Sequence, residues 1–246
     1  MSASTAVLKS EARLFTREPA ALFWVIAFPT LLLTILGLVP SFRTADPALG
    51  GLRTVDLYVP VVVLLAVIMA GLQAMPPALT GYRERGILRR MSTTPMRPVY
   101  LLAAQIVLNG AAALGSAILA MAVGRLAYGV ELPRQLLGYV LALVLATLGA
   151  LAFGATITAL SRTTKISNAV GMAVFFPAMF TVGVWAPVQV MPDLLQRIVG
   201  FTPFGAAAQA LNQAAAGDWP SWSHLGVTAL WTVILIAVAA RWFRWE

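Results

Sequence analysis

Catalysis needs a nucleophile with a base, paired acids, or a set of metal ligands, and this sequence offers few groups for any of these. It has one histidine, His224, and no cysteine, which excludes thiol nucleophiles, thiolate metal sites and disulfides. Ser116 lies within a long uncharged stretch that holds no base or acid, and His224 sits at the edge of another, so no nucleophile and base are legible as a pair. The only lysines, Lys9 and Lys165, are not preceded by the glycines of a G-x-x-x-x-G-K-[ST] phosphate loop, so the chain has no means of hydrolysing ATP. Catalytic residues, bound cofactors and metal ligands are all expected to be absent, and the chain is not expected to be an enzyme.

What the chain does concentrate is arginine. The segment 80–98, TGYRERGILRRMSTTPMRP, carries five. Ile87, Leu88 and Met91 recur at helical spacing between Arg85, Arg89 and Arg90, so a short helix here would present an apolar ridge flanked by positive charge. Such a helix suits docking into a groove on a partner, while anchoring at lipid headgroups is the plainer use of the same residues. Polar residues without charge, Gln73, Gln105, Asn109 and Asn168, fall inside apolar stretches. There they can meet a passing substrate or bond one helix to another, the commoner use.

The elements that must hold these residues follow from the spacing of charge. The chain is 60% hydrophobic and 11% charged, against about 45–50% and 25% in an ordinary soluble domain. Crossing about 30 Å of hydrocarbon takes about 20 apolar residues, and a charge at the centre costs about 2.5–3.5 kcal/mol. Uncharged windows lie between Glu18 and Arg43, Asp56 and Arg83, Arg97 and Arg125, Arg134 and Arg162, Lys165 and Asp193, and Asp218 and Arg241. They predict an all-α integral membrane protein, a single transmembrane domain over 1–246 with six spans near 21–40, 57–79, 99–124, 136–160, 166–187 and 222–240. Pro29 and Pro177 fall inside spans one and five, where neighbouring helices tolerate a kink.

Twelve of the basic residues fall in the N-terminal segment, the 80–98 and 161–165 loops and the C-terminus, and five in the other loops. By the positive-inside rule both termini are cytoplasmic. This topology accounts for the net charge of +8 without nucleic acid as a partner. No ionisable residue lies deep in a window, which argues against a proton- or sodium-coupled carrier. No cleaved leader is expected at the N-terminus, because span one is too long and lacks a cleavage pattern.

Residues 4–17 set Val7, Leu8, Leu14 and Phe15 among charges, which predicts an amphipathic helix lying at the cytoplasmic interface, with a solvated tail as the alternative. The segment from Val188 to Trp222 is too apolar for a solvated loop. Pro192 and Asp193 start a helix there with Leu194, Leu195, Ile198 and Val199 on one face. Gly200 to Pro203 breaks it, and a run from Phe204 to Ala216 follows. Two short helices re-entering the outer leaflet, or a helical hairpin lying flat on the surface, both fit. Four-residue repeats of small residues, Ala112, Ser116, Ala120 and Gly124, and Ala146, Ala150, Gly154 and Thr158, suit close packing within the chain more than dimerisation.

Two stretches carry a family resemblance. Arg83-Glu84-Arg85-Gly86 leading through Leu88, Arg89 and Arg90 to Thr94-Pro95, and the later Gly183, Pro187, Met191-Pro192, Leu195-Gln196 and Pro203, make nearly the whole chain similar to the membrane subunit of type-2 ABC exporters. Ile87 departs from the threonine that many relatives have. The resemblance implies that Arg83, Glu84, Arg85, Gly86, Ile87, Leu88, Arg89, Arg90 and Met91 form a coupling helix to an ATPase, and that 4–17 is a connecting helix. It also implies that 188–216 holds re-entrant helices, with Pro187, Met191, Pro192 and Pro203 at an outer gate. Two ATP-binding subunits, carrying ATP and Mg, would join two copies of this chain, or this chain and a paralogous permease, in a bacterial cytoplasmic membrane. The cargo would be a hydrophobic small molecule such as a drug or antibiotic, or a lipid-like substrate, exported by alternating access as in multidrug efflux and antibiotic resistance. A channel, or a membrane-embedded enzyme without an ATPase partner, is the alternative.

Overall fold

The computed structural model describes residues 3–49, 51–92 and 99–242. The described residues are helical throughout apart from turns and one isolated antiparallel bridge between Ala45 and Arg53. A first helix, α1, covers Ala3–Phe15. Six helices are long and apolar enough to cross a membrane: α2 (Pro19–Leu38), α3 (Thr54–Glu84), α5 (Val99–Tyr128), α6 (Leu136–Leu160), α7 (Thr164–Val182) and α10 (Trp222–Trp242). Between them lie the short α4 (Ile87–Ser92), α8 (Asp193–Gly200) and α9 (Pro203–Ala216).

The six membrane helices are not equivalent. Along its most apolar stretch α3 is 94% buried, whereas the others range from 22% to 56%. From Val59 to Leu72 its sequence is apolar on every side, so that stretch has no face to give to water and can be enclosed by protein all round. It packs against α2, α5, α6, α7 and α9. Where α3 and α6 cross, the backbones touch: a methyl group at Gly71 would collide with the Ala150 carbonyl, and one at Gly154 with the Gly71 carbonyl. Ala146, Ala150 and Thr158 of α6 are buried, as are Ala112, Ser116 and Ala120 of α5. Both small-residue repeats are therefore spent inside the chain.

Three expectations need correction at helix ends. Span five, expected to reach 187, stops at Val182 because Gly183 takes a left-handed φ of +91°, a conformation that ends a helix and suits glycine. The second span, expected to end near 79, runs on to Glu84 and so absorbs Arg83 and Glu84. The coupling segment, expected as one helix from Arg83 to Met91, is broken at Gly86, where φ is +65°. Only Ile87–Ser92 forms the separate α4. Thr94, Pro95 and Arg97 lie outside the described residues.

Prolines shape the spans as well. Pro29 follows a π-turn at Phe23–Ala27, and Pro76 and Pro77 follow another at Ala70–Ala74. A proline has no N–H for the carbonyl four residues back, and the wider turn is one way a helix accommodates this.

Candidate functional site

The end of α3 grips two other helix ends at once. Arg83 Nη1 donates to the carbonyls of Thr158 (2.8 Å) and Ser161 (2.5 Å) where α6 finishes. The Glu84 carboxylate accepts from the backbone N–H (3.0 Å) and the hydroxyl (2.7 Å) of Thr164 where α7 begins. The signs match the helix dipoles, a cation on leftover carbonyls and an anion on leftover N–H groups. One turn earlier, the buried hydroxyls of Thr80 and Ser167 lie 3.0 Å apart. Three membrane helices are thus tied together at one end of the bundle by two adjacent residues of α3.

Immediately after this clasp the chain turns at Gly86, whose N–H donates to the Arg83 carbonyl at 2.9 Å. Arg85 is exposed, with its guanidinium on the Gly81 carbonyl at 3.1 Å and 5.4 Å from the centre of the Tyr82 ring. Arg90 is also exposed, and its Nη2 donates to the Arg85 carbonyl at 3.2 Å. Arg89 and Met91 belong to the backbone of α4. The expected outward apolar ridge is corrected here: Leu88 is 2% exposed, packed in a cluster with Val7, Leu79, Tyr82 and Leu101, and Ile87 is half-buried against the same cluster. Ile87 and Leu88 are taken up by the chain's own core, which leaves Arg85 and Arg90 outside.

A buried carboxylate stands beside the clasp. Glu11, in the middle of the inward face of α1 with Val7 and Phe15, is 6% exposed. It accepts from the Tyr82 hydroxyl (2.9 Å) and from Gln105 Nε2 (2.7 Å), and Asn109 Nδ2 donates to Gln105 Oε1 (3.0 Å). Gln105, a candidate for a substrate path, thereby ties α1 to α5, while Asn109, another candidate, bonds only Gln105 within α5 and its buried Oδ1 has no partner among the described residues. Gln73 sits on the π-turn of α3, half-buried, and its Nε2 has no hydrogen-bond partner. Asn168 is exposed on α7. These two are not joined to the Glu11 chain.

At the opposite end, Met191 is buried in a small cluster with Val188 and Val199. Pro187 and Pro192 bracket the 3₁₀ turn Val188–Val190 and the start of α8, and Pro203 opens α9. The turn between α8 and α9 is tight: the Thr202 hydroxyl accepts from the Gly205 N–H at 3.1 Å, and a side chain at Gly205 would strike the Val199 carbonyl. From there α9 runs among α6, α10, α3 and α7, with Phe204 stacked on Phe153 of α6 at 5.5 Å. His224 pairs with a serine that the sequence did not single out, Ser221, whose Oγ is 2.7 Å from Nδ1. Among the described residues the ring's other contact is the Gln213 side chain, at 3.5 Å from Nδ1. Ser116 is buried with no partner, and no group of three or more metal-binding side chains forms among the described residues.

Sequence reasoning missed Glu11, Tyr82, Thr164 and Ser221 as working residues. Glu11 carried a signal, a lone carboxylate four residues from Val7 and from Phe15 on an otherwise apolar helical face. For Thr164, the Thr163-Thr164 pair ahead of an apolar run is a helix-start pattern. Nothing in the sequence said that the carboxylate meeting it would be Glu84.

Compared with known proteins, residues 3–215 match the family model described as ABC-2 type transporter. No curated protein matches the chain.

Proposed function

The chain belongs to the ABC-2 type transporter family, whose members are transmembrane subunits that normally pair with an ATP-binding subunit, and from that premise we propose an ATP-driven exporter of a hydrophobic or lipid-like small molecule. The working unit in this reading is two copies of the chain and two ATPases, the latter carrying ATP and Mg, with both termini cytoplasmic in a bacterial cytoplasmic membrane. Helix α1 is the connecting helix at the inner interface. Helices α8 and α9 are the re-entrant pair near an outer gate at Pro187, Met191, Pro192 and Pro203.

The observation that carries the reading is the clasp. A partner bearing on the exposed Arg85 and Arg90 would push α4, which is one glycine away from Arg83 and Glu84. Those residues hold the end of α6 and the start of α7, and they terminate the most enclosed helix of the bundle. Force applied at one short helix therefore reaches three spans without passing through a flexible loop. Coupling then depends on charge at Arg85, Arg89 and Arg90 rather than on an apolar ridge. Of the polar span residues, Gln73 and Asn168 remain the candidates for substrate contact.

The test is co-purification of the tagged chain with the ATP-binding subunit of its own genome, for wild type and for Arg85→Glu with Arg90→Glu. The expected result is loss of the ATPase from the double variant, with melting of the membrane chain unchanged. A stable wild-type chain that retains no ATPase would overturn the exporter reading.

A further inference from the structure

At the end opposite the clasp, α8, α9 and the first turns of α10 enclose an open groove of about 490 Å³. Asp193, Arg197 and Phe201 line it from one side, and Ser223 and His224 from the other. We propose that it binds the headgroup of a zwitterionic phospholipid, of the phosphoethanolamine kind, at the membrane surface.

Asp193 and Arg197 stand four residues apart on α8, a spacing at which opposite charges ordinarily pair along a helix. Here both are exposed, both face the groove, and neither has an ion pair or hydrogen bond among the described residues. His224 adds a ring whose Nδ1 is held by Ser221, so Nε2 is the atom left for a ligand. The groove therefore offers a cation and a ring nitrogen beside an uncommitted carboxylate, and where Ser221 donates to Nδ1 that nitrogen is an N–H.

The order of these groups selects the ligand. Trp231 Nε1 donates to the Phe201 carbonyl at 3.1 Å, and Trp231 lies seven residues further along α10 than His224. The Phe201 end of α8 is therefore the one nearer the middle of the bilayer, and Asp193 is the outer end. Four residues separate Arg197 from Asp193 by about 6 Å along the axis of α8, with Arg197 at the deeper end. A zwitterionic phospholipid carries its phosphate next to the glycerol and its ammonium further out, so phosphate falls to Arg197 and His224 while the ammonium falls to Asp193. A free phosphate or a purely anionic headgroup would meet the Asp193 carboxylate with nothing to offset it. The surroundings suit acyl chains: Leu194, Ile198 and Phe201 are 70%, 53% and 72% exposed. Trp219 and Trp222 pair at 6.1 Å nearby, as aromatic residues do at a membrane interface.

Full-length protein, delipidated in detergent and titrated separately with phosphatidylethanolamine, phosphatidylglycerol and inorganic phosphate, gives the test by native mass spectrometry. Phosphatidylethanolamine should bind best. Arg197→Ala should weaken both lipids about tenfold, and Asp193→Asn should bring phosphatidylethanolamine down to the phosphatidylglycerol level while leaving the latter unchanged or improved. Both residues are exposed, so unchanged melting of the lipid-free variants serves as the control on folding. Equal lipid occupancy in wild type and Arg197→Ala would overturn the proposal, and so would displacement of the lipid by inorganic phosphate.

Discussion

The two ends of the bundle treat charge in opposite ways. At the clasp end Glu11, Arg83 and Glu84 each hydrogen-bond within the chain, to a tyrosine, a glutamine and two helix termini. At the other end Asp193 and Arg197 sit side by side and ignore each other. Charge used inside a protein makes elements move together, whereas charge left on a wall is available to whatever enters. The contrast separates a part of the molecule built to transmit force from a part built to meet a ligand.

That contrast predicts a gradient of mutational effect. Arg83→Ala should be the most damaging, because it leaves the ends of Thr158 and Ser161 without a charged donor. A loss of about 3 kcal/mol is expected from two charge-assisted bonds, read as a large fall in thermal unfolding in detergent. Arg83→Lys, whose ammonium keeps the charge and three N–H donors on a differently shaped and shorter side chain, should recover part of it. Glu11→Leu comes next: it removes a buried acceptor from Tyr82 and Gln105 at a cost of about 1–3 kcal/mol, and proteolysis should then release α1 before the spans unfold. Glu84→Gln should lower stability less than either, since Glu84 is exposed and the amide still accepts from Thr164. Asp193→Asn and Arg197→Ala should change stability by under about 0.5 kcal/mol while altering lipid retention. If a groove variant destabilised the chain as much as Arg83→Ala, the division between the two ends would fail.

The arrangement of spans was legible because charge is so costly in lipid that its absence marks each crossing. Helix ends were less so. That Gly86 would break the arginine-rich segment and Gly183 would shorten span five depends on a left-handed backbone, and a glycine allows that conformation without requiring it. The outward ridge at Ile87 and Leu88 was misjudged because helical spacing shows which residues share a face, but not whether that face meets a partner or the chain's own α1. The clasp is a matter of which loops come together: Arg83 and Glu84 look like topology signals until the 158–164 segment is folded against them. Gln105 bonds one helix to another, but its partner, Glu11, lies almost a hundred residues away in sequence, so sequence spacing could not show the pair.

The enclosure of α3 bears on how such a chain is made. Since α3 is apolar on every side from Val59 to Leu72, surrounding lipid serves that stretch as well as surrounding protein does. The ribosome can therefore leave it in the bilayer with α2 while the four later spans are still unsynthesised, and no polar face has to be hidden from lipid in the meantime. Its final neighbours then displace lipid by fit alone, at contacts as close as Gly71 against Ala150. A nascent chain that stalls after its first hairpin would be membrane-stable but unassembled, which makes the crossing of α3 and α6 the step at which cellular quality control could tell a finished protein from an abandoned one.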